Sequence, residues 1–348
     1  MPAYASIRPA ALRPGDTVAV VSLSSGGAAA LPHRYATGKR QLAETFGLRV
    51  IEAPHATRDS DWLRDNPRAR ADDLHWALEN PDVHGIVSAI GGFHALGMVP
   101  YLDLDLIAAH PKVFTGYSDT TINHLAFGKA GVGSFYGMAV LSTAAENGGI
   151  SPFSAESFRA TVMSAEPVGD LAPAPEWTEE LLDWSRPELQ DRPRRWVPNY
   201  GWLWLQGDQP VQGPIIGGCL EVLVQAVGTR IWPEPADFDG AVLHLEISNE
   251  RPPQLQVQVW LRHFAALGIV ARISALLFSR PEAMSLRDTL ALYEAIRDEL
   301  VVAGRPDLPF VANLDYGHSS PMGVLPLGRQ LLVDPQQRRL SILDPAVC

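Results

Sequence analysis

Between residues 16 and 131 of this 348-residue chain, short apolar runs alternate with helical patterns, and that alternation narrows the choice of fold more than any other feature. DTVAVVSL (16–23) is almost continuously apolar and follows the turn signal Pro14-Gly15, as expected of a strand buried on both faces. Residues 33–47 then read as a helix that stops at Gly47, and LRVIEA (48–53) reads as a second strand. Asn66-Pro67 opens a helix that runs through 79, because Asn caps well and Pro is preorganised for the first helical position. HGIVSAI (84–90) and VFTGY (113–117) are two further strands, and 118–131 is helical again. Strands and helices in this rhythm build a parallel sheet covered on both faces.

The rhythm breaks at 164–210. This stretch holds Pro167, Pro173, Pro175, Pro187, Pro193, Pro198 and Pro210, together with five of the nine tryptophans. Proline at that density argues against long helices and central strands, so the segment reads as a long connection that serves as a lid or binding loop. A second α/β region follows, with helices near 219–228, 254–267 and 285–302. Its strands are expected at 241–247, 273–279, 309–313, 330–334 and 339–343. The expected division is a domain at 1–165, a connection at 166–210 and a second domain at 211–348.

Hydrophobic residues at 46% and charged residues at 19% exclude a disordered chain. A net charge of −11 without a basic run argues against binding a nucleic-acid polymer. Cys219 and Cys348 are the only cysteines, so no disulfide framework or cysteine-built metal site is expected. There is no H-E-x-x-H and no spaced Asp/His cluster, and no metal or other cofactor is called for. The first residues lack a secretory apolar stretch and no window approaches 18 apolar residues. A cytoplasmic protein without a membrane partner is the expectation.

Candidate chemistry sits where strands end. Ser118 falls between the strand VFTGY and a helix, a position that suits either a nucleophile on a sharp turn or an N-cap. The next backbone N–H, that of Asp119, could face an oxyanion. The glycine pair Gly91-Gly92 after HGIVSAI suits a second oxyanion donor or a tight strand exit. SSGGAAA (24–30) lacks the spacing of a dinucleotide-binding loop and is discounted. His318 lies in NLDYGHSSPMGVLPLG, a loop after an apolar strand, and reads as a base or as an exposed loop histidine. Glu246 ends VLHLE and reads as an orienting acid or as a strand-end surface charge. Together they supply nucleophile, acid and base at the carboxyl ends of strands, where open α/β sheets place ligands.

RPGDTVAVVSLSS, NPDVHGIVSAIGGFHALGMVPYLDLDLI, KVFTGYSDTTINHLAF, GPIIGGCLEVL, LHLEISNERP and LDYGHSSPMGVLPLG occur in that order, and a chain with this set resembles the LD-carboxypeptidase family of serine peptidases. The family includes muramoyltetrapeptide carboxypeptidases and microcin C self-immunity proteins. The resemblance implies a catalytic triad of Ser118, Glu246 and His318, and an oxyanion hole from the backbone N–H groups of Gly92 and Asp119. It implies an N-terminal parallel-sheet domain of Rossmann or flavodoxin type and a C-terminal α/β domain with a mixed sheet or swivelling barrel. It also implies a homodimer. Ile90 stands where the muropeptide-cleaving branch tends to carry Arg, and NYGWLWLQG is similar to the microcin immunity branch. That branch implies a small peptidyl- or aminoacyl-nucleotide substrate, with Trp177, Trp184 and Trp196 as candidates for stacking on its base. Cys219 departs from the family, which usually has Asn there. The competing expectations are a muramoyltetrapeptide carboxypeptidase and a non-catalytic binding protein on the same scaffold.

Overall fold

The computed structural model describes residues 3–348. The apolar runs become the strands Thr17–Val21, Gly85–Ser88 and Val113–Gly116, each buried along its whole length. Within Thr17–Val21, Val18 and Val20 join one apolar cluster and Ala19 and Val21 another, so successive side chains face opposite layers. Helices Pro32–Phe46 and Pro152–Val162 pack Tyr35, Leu42, Phe46 and Phe158 into the first cluster. Helices Pro67–Glu79, Leu104–Ala109 and Thr121–Lys129 pack Leu74, Ile107, Ile122 and Phe127 into the second.

With Arg49–Glu52 and Phe135–Tyr136, these strands form a parallel sheet. In chain order its strands lie second, first, third, fourth, fifth, the flavodoxin-like arrangement. The order reverses between Thr17–Val21 and Gly85–Ser88, and the crevice beyond the carboxyl ends of these strands is where such sheets bind ligands. Leu325–Pro326 returns from the far end of the chain and pairs antiparallel with Phe135–Tyr136. Sequence patterning did not disclose these two-residue strands, which are too short to show a period.

The second sheet has eight strands and is mixed, the first of the two forms expected. Its centre is Val211–Cys219, which pairs antiparallel with Gln330–Asp334 through its first half and parallel with Val242–Glu246 through its second. Ala275–Ser279 and Phe310–Leu314 continue the parallel part. Three glycines and a proline hide the strand pattern of Val211–Cys219 in the sequence. The proline-rich connection contributes Pro167–Asp170 at one edge of this sheet and Leu203–Gln206 at the other. Pro167 is tolerated because an edge strand does not need its N–H. Between these strands, Glu176–Trp177 and Val197–Pro198 form a two-stranded ribbon.

Helix Thr121–Lys129 lies between the two halves, with every residue from Thr121 to Gly128 buried. The apolar cluster that holds its Ile122, Leu125 and Phe127 continues into Ile216, Leu245, Phe264 and Phe310 of the second half. A helix with no solvated face belongs between packed layers, and the residue that opens its approach is Ser118. Among the described residues, no helix is long and apolar enough to cross a membrane.

Candidate active site

The chain leaves the strand Val113–Gly116 through Tyr117 and turns at Ser118 into the short helical turn Ser118–Thr120. Ser118 has φ +62°, a left-handed conformation that costs a non-glycine residue roughly 1–3 kcal/mol and persists only when its surroundings hold it. A chain of hydrogen bonds does so. The Ser118 N–H donates to the Tyr136 hydroxyl at 3.0 Å, and that hydroxyl donates to Glu246 Oε1. Glu246, fully buried at the end of Val242–Glu246, accepts the His318 N–H at 2.8 Å on Oε2, and the same oxygen lies 2.7 Å from His318 Nδ1. Strand ends from both sheets thus bring Ser118, Glu246 and His318 to one place. Ser118 and His318 line the same cavity of about 420 Å³. Among the described residues no hydrogen bond yet joins the Ser118 hydroxyl to the imidazole, a contact that often tightens only with substrate in place.

Burial by itself lowers the His318 pKa, but the Glu246 charge and hydrogen bond outweigh it and raise the group above its ordinary 6.5. Burial, then the nearby carboxylate, pushes Tyr136 well above its usual range, so its proton stays in place to be donated. A base must be neutral to accept a proton. If His318 is the base, kcat/KM rises with pH through a midpoint above 6.5. Glu246→Gln removes the largest raising charge and leaves burial opposed only by the more distant Glu282 and Glu221, so the midpoint moves down; a pH–rate profile of each enzyme checks this, and an unmoved midpoint would exclude the pairing.

Gly91 passes directly over the serine, and Gly92 lies against Ser24 and Ser25. A Cβ on Gly91 would lie 2.8 Å from Ser118 Cβ and 2.9 Å from its Oγ, so only glycine lets the loop approach this closely. Gly92 and Asp119 line the same cavity, and among the described residues neither backbone N–H donates to a protein acceptor. The Asp119 carboxylate is buried and turned away. It accepts the Ser24 hydroxyl and the Ala95 N–H (2.8 Å), which ties the glycine loop to the serine turn. Burial raises its pKa, and those hydrogen bonds oppose the rise. Ser25 Oγ holds the Gly91 carbonyl at 2.8 Å.

The loop of His318 is held by Asp315, which is buried and paired with Arg280. Asp315 also accepts the Ala174 N–H and the Trp202 indole N–H, each at 3.0 Å. The connection therefore supports the imidazole as well as closing over it.

The three candidate tryptophans diverge. Trp184 is 36% exposed and lines both the Ser118 cavity and the adjoining cavity on the far side of His318. The Arg34 guanidinium lies 4.1 Å from its ring centroid. Trp177 instead packs against Arg280, 4.8 Å away, beneath the His318 loop, and Trp196 lines a separate hollow with Pro193 and Pro321. Ile90 lines the serine cavity, as does Cys219, whose N–H donates to Thr121 Oγ1 at 3.1 Å. Sequence reasoning missed Tyr136, Ser24, Ser25 and Trp260, which also lines the cavity. Ser24 and Ser25 could have been found, since they follow the first strand at the point where the sheet order reverses. Nothing local marks Tyr136, whose partner Glu246 lies 110 residues away.

Comparison with known proteins defines the class. Residues 18–137 match the LD-carboxypeptidase N-terminal domain and residues 212–333 match the LD-carboxypeptidase C-terminal domain, which makes the chain a serine hydrolase. It belongs to the LD-carboxypeptidase family of serine peptidases, as the motif resemblance implied. It is 28% identical over 342 residues to the microcin C7 self-immunity protein MccF of Escherichia coli, covering 96% of this chain and 95% of the relative. An MccF-like protein from Streptococcus pneumoniae in complex with AMP has TM-score 0.85 and 30% identity, covering 95% of this chain and 99% of the other. MccF in complex with glutamyl sulfamoyl guanosine has TM-score 0.85 and 25% identity, covering 98% and 99%.

Proposed function

We propose that this protein hydrolyses the amide bond joining an amino acid or peptide to a nucleotide, with Ser118 as nucleophile, His318 as base and Glu246 as the group that orients it. His318 Nε2 takes the hydroxyl proton as Ser118 Oγ attacks the carbonyl. Glu246 holds Nδ1–H and stabilises the imidazolium. The oxyanion is received by the N–H groups of Gly92 and Asp119, and a donor of that kind is worth roughly 100–1,000-fold in turnover. His318 then protonates the leaving nitrogen, and water releases the acyl group by the same route in reverse.

The observation that carries this reading is the Glu246–His318 pair opening onto the cavity of Ser118 with Trp184 on the shared wall. An exposed indole beside the scissile bond suits a purine, and the nucleotide ligands of the two solved relatives favour the same substrate class. Incubation with an aminoacyl sulfamoyl adenosine and, separately, with a muramoyl tetrapeptide tests it. Hydrolysis of the nucleotide conjugate is expected. Trp184→Ala should raise its KM by roughly 10–100-fold with a smaller change in kcat, because one base stack contributes about 1–3 kcal/mol. Cleavage of the tetrapeptide alone would transfer the chain to murein peptide cleavage.

A further inference from the structure

The wall beside Ser118 carries carboxylates. Glu221 and Glu250 line the 420 Å³ cavity, and among the described residues no lysine or arginine lines it. Asp119, the third acid there, is occupied by Ser24 and the Ala95 N–H. Glu221 is held in place: Oε1 accepts the Ser248 N–H at 2.8 Å and Oε2 the Cys219 thiol at 3.3 Å. Burial first, then Glu246 and Glu221, pushes the Cys219 thiol well above its usual range, so it stays neutral and adds no charge.

The adjoining cavity of about 250 Å³, which His318 also lines, holds a further carboxylate, Glu282. Among the described residues it has neither a hydrogen bond nor an ion pair. Burial pushes its pKa up, while His318, Arg194 and Arg251 pull it down. The two arginines of that cavity are committed elsewhere. Arg194 grips Glu146 through two hydrogen bonds. Arg34 donates to the Leu141 carbonyl at 2.7 Å and to Asn147 at 2.9 Å, with its face against Trp184.

Carboxylates that face a cavity attract a ligand cation and repel a ligand anion, and Glu221 and Glu250 both line the cavity of Ser118. We infer that the acyl group this enzyme accepts is cationic, a lysine- or arginine-like residue whose charge is met by Glu221 and Glu250, with Glu282 adding to the field from the His318 side. The inference rests on the proposed hydrolysis of aminoacyl nucleotides and narrows its substrate class. It separates this chain from the MccF whose complex holds a glutamyl group.

The test measures binding of lysyl, leucyl and glutamyl sulfamoyl adenosine to Ser118→Ala by calorimetry, and their hydrolysis by the unaltered enzyme. The α-amino group is common to all three, so differences report the side chain. Lysyl is expected to bind roughly tenfold more tightly than leucyl and roughly 100-fold more tightly than glutamyl, with the margin narrowing as salt is added. Glu250 is solvent-exposed, so Glu250→Lys should fold, and it should reverse the order of lysyl and glutamyl. Equal binding of the three, a preference for glutamyl, or an unreversed order in Glu250→Lys overturns the inference and leaves the proposed reaction standing. Failure of all three ligands both to bind and to be hydrolysed overturns the proposed reaction, and the inference with it.

Discussion

Ser118→Ala is expected to lower kcat by roughly 10⁴–10⁶-fold, the loss seen when the nucleophile of a serine relay is removed. Stability should barely change. The hydroxyl makes no hydrogen bond within the protein that would be lost, and the strained φ of +62° is as costly for alanine as for serine. The Tyr136–Glu246–His318 chain does not pass through the hydroxyl, so it survives the change. Turnover of an aminoacyl sulfamoyl adenosine and a thermal melt measure the two effects separately. Activity within tenfold of the unaltered enzyme would remove Ser118 from the reaction.

Gly317→Ala should also damage turnover, although it adds one methyl group and removes no functional atom. Gly317 has φ +74°, and a Cβ there would lie 2.0 Å from Glu246 Oε2, the oxygen that accepts both hydrogen bonds from His318. The carboxylate is packed in a fully buried strand end and cannot retreat, so the loop must move and the imidazole must move with it. We expect kcat to fall by about 10²-fold or more, since misplacement of a catalytic group by about 1 Å is enough to cost that much. Stability should fall by roughly 1–3 kcal/mol from backbone strain and steric overlap. Gly228→Ala separates the two causes. Gly228 has a similar φ of +79° but an added Cβ meets nothing within 4 Å. It should lose about 1 kcal/mol of stability and keep its turnover. Equal activities in the two variants would show that the contact with Glu246 does not matter.

The sequence disclosed the parts of this molecule that have a period. The buried strand Thr17–Val21, the helix opened by Asn66-Pro67 and the helix ended by Gly47 all lie where their apolar spacing and caps place them. Strands of two residues, such as Phe135–Tyr136, have no period to read, and the glycines of Val211–Cys219 mask a real one. The site divided the same way. Ser118, Glu246 and His318 were visible because each ends or follows an apolar run and occurs within a recognisable motif. Tyr136 was not, because a buried tyrosine is ordinarily core, and its role depends on a carboxylate that only tertiary folding brings near. The connection was legible as an interruption but not as architecture. Seven prolines argued correctly against long helices, yet gave no sign that its ends would be strands.

Those ends govern how substrate can enter. Pro167–Asp170 and Leu203–Gln206 pair at opposite margins of an eight-stranded sheet, and the sheet curls so that Asp170 and Trp202, at the two roots of the segment between them, line one hollow. A flap anchored at one root can swing aside as a rigid body. Here the segment is a strap paired into the sheet at both roots, and Arg194 and Gln190 stitch its middle to Glu146 and Ala145 as well. Admission of a ligand past Trp184 must therefore proceed by a shallow local flexing of the strap, and a cut in its peptide backbone would leave both halves fastened in place.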